Sequence, residues 1–208
     1  MTKTTMVVTA LGLILGSPLG AAANDEPDTF MACTFITVRP NSGSGVGARL
    51  RFKCPGFYDL PDELGNDPSV EGATLRVFDL GGNAGDDTYT IPPGASWRRT
   101  PQNPMSPLRG WRYRADATPT LPCKVLVVRD NVVRATCRHQ GVTLTPPFSG
   151  DAAVVVTVGT NSKRYCARFG GNTAYNQTRL LWRRHAPAPT ECSSPSGAFL
   201  EVGAALVE

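Results

Sequence analysis

The chain has 208 residues, 41% of them hydrophobic and 18% charged, with 21 Lys and Arg against 17 Asp and Glu. A chain of that length fits one domain and can bury a substantial core. Its net charge of +4 is too mild to argue for a nucleic-acid partner.

The amino terminus reads as an export signal. Lys3 supplies a positive start, and the run from Met6 to Gly16 supplies an apolar core. Ala21, Ala22 and Ala23 are the small residues that a signal peptidase reads, and Asn24, Asp25 and Glu26 then turn polar. Cleavage is expected after Ala23, which makes residues 1–23 a signal peptide. The apolar core is shorter than the roughly 20 residues a spanning helix needs. No later stretch is apolar enough to span. The expected product is secreted, periplasmic or on the cell surface. It has one domain at 24–195 and a tail at 196–208, whose apolar end would dock as a last strand.

The 21 Gly and 18 Pro break the chain so often that few stretches suit an ordinary helix. Short β-branched or alternating runs lie between the breaks. Strands are expected at 34–38 and 48–53, then at 74–78, 88–91 and 110–114. Further strands are expected at 123–128, 132–137, 142–144, 152–158 and 164–169. Loops are expected at 41–47, 59–69, 81–87 and 92–107. Ala48, Leu50 and Phe52 alternate with Arg49, Arg51 and Lys53, and Trp111 and Tyr113 alternate with Arg112 and Arg114. That pattern belongs to half-buried antiparallel strands. The run 152–158 is apolar except for Thr157 and reads as a central strand. Residues 173–185 hold no Gly or Pro, and Leu180, Leu181 and Trp182 favour strand over helix. The whole predicts an all-β fold, an antiparallel β-sandwich of jelly-roll or immunoglobulin-like type.

Six cysteines behind an export signal predict disulfides that staple this fold. Fifteen pairings exist in principle. The runs 123–128 and 132–137 flank Asp130-Asn131 as in a hairpin. A three-residue loop at 129–131 pairs Val128 with Val132 and brings Cys123 opposite Cys137. A two-residue loop would instead pair Cys123 with Arg138 and put the sulfurs on opposite faces. Cys33 with Cys54 and Cys166 with Cys192 are the next most local choices. The rival is a metal held by Cys137 and His139, or by His185 and Cys192. No C-x-x-C spacing supports it.

Two constellations have binding chemistry. Gly81 to Tyr89 resembles one imperfect copy of a Gly-Asp calcium turn, with Asp79, Asn83, Asp86 and Asp87 as oxygen donors. Turn residues in a hairpin loop are the plainer reading. Trp97, Trp111, Tyr113 and Trp182, near Arg98, Arg99, Arg112 and Arg114, would make an aromatic platform for sugars or an anionic polymer. Core aromatics are the plainer reading there. Only His139 and His185 could serve a nucleophilic triad, and no Gly-x-Ser-x-Gly elbow occurs. Ser42-Gly43-Ser44-Gly45 is a flexible loop pattern. Asn176-Gln177-Thr178 is a glycosylation sequon in a eukaryotic host.

A further pattern spans Trp111-Arg112-Tyr113, Pro122-Cys123-Lys124, Cys137, Arg164 to Gly171 and Ala186 to Cys192. It resembles an uncharacterised Cys-containing β-module of exported proteins from delta-proteobacterium-like bacteria. The resemblance covers residues 70–195. It implies a bacterial secreted module with two bridges in that region, and it carries no activity and no functional residue. The expected function is therefore a non-enzymatic binding or structural module at the cell surface. Its partner would be a polysaccharide or a protein. The alternative is an extracellular hydrolase with an unrecognised carboxylate or histidine site. No resident cofactor is expected beyond that calcium turn.

Overall fold

The computed structural model describes residues 27–41, 47–60, 67–103, 105–115, 122–138, 141–159, 163–178 and 180–192. The expected signal peptide, the tail at 196–208 and His139 lie outside them. The chain begins with β1 (Thr29–Phe30), β2 (Cys33–Arg39) and β3 (Arg49–Pro55). A one-turn helix, α1 (Pro68–Glu71), precedes β4 (Ala73–Asp79), β5 (Asp86–Ile91) and β6 (Trp97–Arg99). Next come β7 (Gly110–Arg114), β8 (Cys123–Arg129) and β9 (Val132–Arg138). The last four are β10 (Ala152–Val158), β11 (Lys163–Phe169), β12 (Asn172–Gln177) and β13 (Leu180–Ala186).

These strands form two open sheets. One has five strands in the order β1-β11-β10-β4-β5, and the other eight in the order β12-β13-β2-β3-β9-β8-β7-β6. All the pairings are antiparallel except β1 with β11. Alternation sets which side of each strand is buried. Leu50, Phe52 and Cys54 of β3 point inward, and Arg51 and Lys53 are exposed. β10 lies between β11 and β4, which accounts for its nearly continuous apolar run. One core cluster joins Leu50, Phe52 and Leu126 of the larger sheet to Leu75, Val154 and Val156 of the smaller. Each such side chain contributes about 1.5–3 kcal/mol when fully buried.

Arg183 ties the sheets together. It lies on β13, yet its guanidinium donates to the Phe169 carbonyl at 2.6 Å and the Gly150 carbonyl at 2.8 Å. Burial lowers its pKa, against the attraction of Asp151 and Asp79. Three disulfides join Cys33 to Cys54, Cys123 to Cys137 and Cys166 to Cys192. The first bridges neighbouring strands β2 and β3. The third runs from β11 of the smaller sheet to the chain leaving β13 of the larger.

The β8–β9 hairpin differs from expectation in its loop. Arg129 pairs with Val132 and Val128 with Val133, so the loop has two residues, Asp130 and Asn131. The register then shifts between Cys123 and Val125, and this irregularity at Lys124 restores Cys123 opposite Cys137. The expected bridge forms through a bulge rather than a longer loop. Residues 142–144 are not a strand. Val142 and Leu144 are buried, but the Thr143 and Leu144 amides donate to the Asp87 carboxylate instead of a ladder. Inside the expected 92–107 loop, three residues form β6, and 173–185 yields the β12–β13 hairpin.

Candidate functional site

The four residues of the calcium-like turn do not converge on a cation. Asp79 accepts from the amides of Gly150 (2.8 Å), Ser149 (2.9 Å), Gly81 (3.0 Å) and Ala84 (3.2 Å). Those donors occupy the lone pairs a metal would use. Burial pushes the Asp79 pKa up, but the four amides outweigh it and hold the carboxyl below its ordinary value. Asp87 points to the opposite side of β5 from Asp86. It accepts from the Tyr89 hydroxyl at 2.6 Å, from the Thr143 amide at 2.9 Å and from the Thr143 hydroxyl. Asp86 is paired with Arg76, and Asn83 is exposed. Asp79 and Asp87 are loop staples. They hold 141–150 against the β4–β5 hairpin.

The expected aromatic platform is also dispersed. Trp97, Trp111 and Tyr113 are at most 5% exposed and belong to the core. A ring so buried has no face to offer a ligand. The Trp97 indole donates to the Pro92 carbonyl at 2.9 Å, and its ring packs on Tyr113. Trp182 is half-buried on the outer side of the larger sheet. It stacks on Tyr175 with centroids 5.9 Å apart and carries the Arg184 guanidinium 3.8 Å from its centre.

What the platform's arginines belong to is larger than the sequence shows. No strand of the eight-stranded sheet contains Asp or Glu. Its outward positions are heavily basic. One row crosses seven strands through the register pairs Arg184–Phe35–Lys53–Arg134–Val127–Arg112–Arg98. At roughly 4.8 Å per strand this row is about 29 Å long. A parallel row places Arg39, Arg49 and Arg138 side by side. Burial lowers the Arg49 pKa, and the charges of Arg51, Arg138 and Arg39 lower it further.

The smaller sheet is the internal contrast. Its outward arginines are each paired: Arg76 with Asp86, Arg164 with Asp28 and Arg168 with Asp151. Arginine abundance therefore does not explain the acid-free face, because the same residue is neutralised on the other sheet.

At the β6 end the basic face becomes concave. A cleft of about 750 Å³ lies between β6, β7, β8 and the 95–102 segment, lined by Arg98, Arg99, Arg112, Arg114 and Arg129 and, among the described residues, by no carboxylate. Arg99 builds the wall, donating to the carbonyls of Pro101, Asn103 and Ser106. Arg129 donates to the Thr100 hydroxyl at 3.1 Å. Burial lowers its pKa, and Arg112 and Arg134 lower it further. The Nε atoms of Arg112 and Arg129 are buried without a partner.

Other candidates are separate from this face or occupied. His185 is exposed at the end of β13, with a positive φ of 51°. The Asn176 amide group is committed to the Phe148 backbone, accepting at 2.8 Å and donating at 2.7 Å. Asp28 lies close to Cys166 and Cys192, but those sulfurs are bonded to each other. Among the described residues no helix is long and apolar enough to cross a membrane. No family model, curated protein or solved structure matches the chain. The domain is β-rich, and two of its three disulfides, Cys123–Cys137 and Cys166–Cys192, lie in the region the resemblance covers; the disulfides fit an oxidising, extracytoplasmic environment.

Proposed function

We propose that the protein is an exported, non-enzymatic binding module whose eight-stranded sheet holds an anionic polysaccharide on its outer face. The observation that carries this reading is the basic row across seven strands, on a sheet without a single acidic residue. A linear polymer with repeated charges lies along such a row, and guanidinium groups pair with its carboxylates or esters. Export brings the face to surface polymers rather than to intracellular nucleic acid. The same reading takes the two sheets as a sandwich of jelly-roll or immunoglobulin-like type in a bacterial secreted module. The hydrolase alternative needs a cleft holding histidine beside carboxylates, and the large cleft is lined by arginine instead.

The test is retention of the full mature chain on immobilised acidic and neutral polysaccharides. Acidic polymers should retain it and neutral ones should not. Lys53→Glu with Arg134→Glu, in the middle of the row, should abolish retention. Equal retention on a neutral glycan would refute the reading. Tighter retention on single-stranded DNA would replace the polysaccharide with a phosphate polymer.

A further inference from the structure

We infer that the cleft at the β6 edge is a discrete site for a tetrahedral oxyanion ester, sulfate or phosphate, carried by the bound polymer. This rests on the polymer reading of the sheet face and names the group recognised at one end of it.

The face is open over most of its length, so a polymer there gains charge pairing without enclosure. At the β6 edge the chain rises beside the sheet and makes a cavity. Its wall is rigid by construction, because Arg99 binds three carbonyls of the following segment. That commits Arg99 to the wall and leaves Arg98, Arg112, Arg114 and Arg129 as the charges of the cavity.

Arg98 and Arg112 are direct register partners. Like charges directly opposite each other destabilise a sheet. Neither side chain has a hydrogen bond or ion pair with another described residue, and among the described residues no carboxylate lines the cavity. An anion seated between them converts the repulsion into two attractions. The arginines come from three strands, β6, β7 and β8, and so approach from several sides. A planar carboxylate offers two oxygens whose lone pairs lie in one plane. A tetrahedral group presents three terminal oxygens in different directions, which matches a cavity ringed by cations.

The experiment is calorimetric titration of the bridged full chain with sulfate, phosphate and acetate, with chloride added to hold ionic strength constant. Sulfate and phosphate should bind saturably, with acetate at least about tenfold weaker. Sulfate affinity should be flat from about pH 5 to pH 9, since guanidinium stays protonated throughout. Arg112→Gln should weaken sulfate at least about tenfold. It should also raise the melting temperature in chloride buffer, because it removes a like-charge pair. Arg112→Lys, which keeps the charge and loses the fork, should bind sulfate with intermediate affinity; it serves as the probe if the glutamine variant misfolds. Arg51→Gln, on the open face, should lower polymer retention and leave sulfate unchanged. Acetate binding as tight as sulfate, or full sulfate affinity in Arg112→Gln, would overturn the inference. Sulfate binding without polymer retention would sink the sheet-face reading and keep the cleft. The reverse would sink the cleft alone. Glucose 6-sulfate and glucose 6-phosphate then distinguish the two sources of the group.

Discussion

Asp79 shows how one carboxylate organises distant chain. It draws in the amides of Ser149 and Gly150, about seventy residues away in sequence, and closes its own turn through Gly81 and Ala84. Asp79→Asn replaces one acceptor oxygen with an amide that faces other N–H donors. It should cost about 2–3 kcal/mol at neutral pH, measured by urea unfolding. The carboxyl pKa is depressed in the folded protein. Its stabilisation is therefore present above the ordinary carboxylate range and lost as pH falls through the folded value. The gap between variant and wild type should accordingly shrink as pH falls below the ordinary carboxylate range. A gap that stays constant with pH would show that the charge of Asp79 contributes nothing. Sequence reading found Asp79, Asp86 and Asp87 as a group but not their separate roles. Adjacent strand residues face opposite ways, and which oxygen meets which donor depends on residues 143–150, far along the chain.

The β7 and β8 strands carry both core and cleft. Gly110 makes that possible. Its φ is +118°, and a Cβ there would stand 2.2 Å from the Val128 carbonyl and 2.5 Å from the Arg129 Cα. Both atoms are backbone and cannot swing aside. Gly110→Ala should destabilise by more than about 1 kcal/mol and lower the melting temperature by at least about 2–4 °C. An unchanged melting temperature would mean that β7 lifts off β8 without cost. Most strands here were legible from apolar pattern: β3 and β7 lie where their alternation puts them, and β10 where its continuous apolar run does. The exceptions have local causes. β6 is three residues in a proline-rich stretch, too short to show a period. The hairpin bulge at Lys124 leaves no mark in composition, since two loop lengths reach the same bridge by different registers. The 142–144 run has buried apolar side chains, but its amides bond Asp87.

At the scale of the molecule, the two sheets use the same residue to opposite ends. Arginines on the smaller sheet are neutralised by aspartates, whereas the outward ones on the larger stand in rows without acids. This asymmetry does not appear in a net charge of +4, which averages both faces. Nor does it appear strand by strand, because a row perpendicular to the strands exists only once the register is known. Polymer binding by five row cations should follow counterion release, with affinity falling roughly 100-fold between about 50 and 200 mM salt. Retention of the chain measured across that range checks it. A shallow dependence would mean that the polymer is held by contacts other than charge.

The bridge from Cys166 to Cys192 also decides how the domain bears load. A pull applied at Cys192 would otherwise be delivered to β13, near the edge of the larger sheet. The covalent link delivers it to β11, which is paired along its full length with β10. A tension that would otherwise peel an outlying hairpin is met instead by a strand held in a ladder of seven residue pairs. Load applied at Cys192 is thereby shared with the smaller sheet rather than falling on the larger sheet alone.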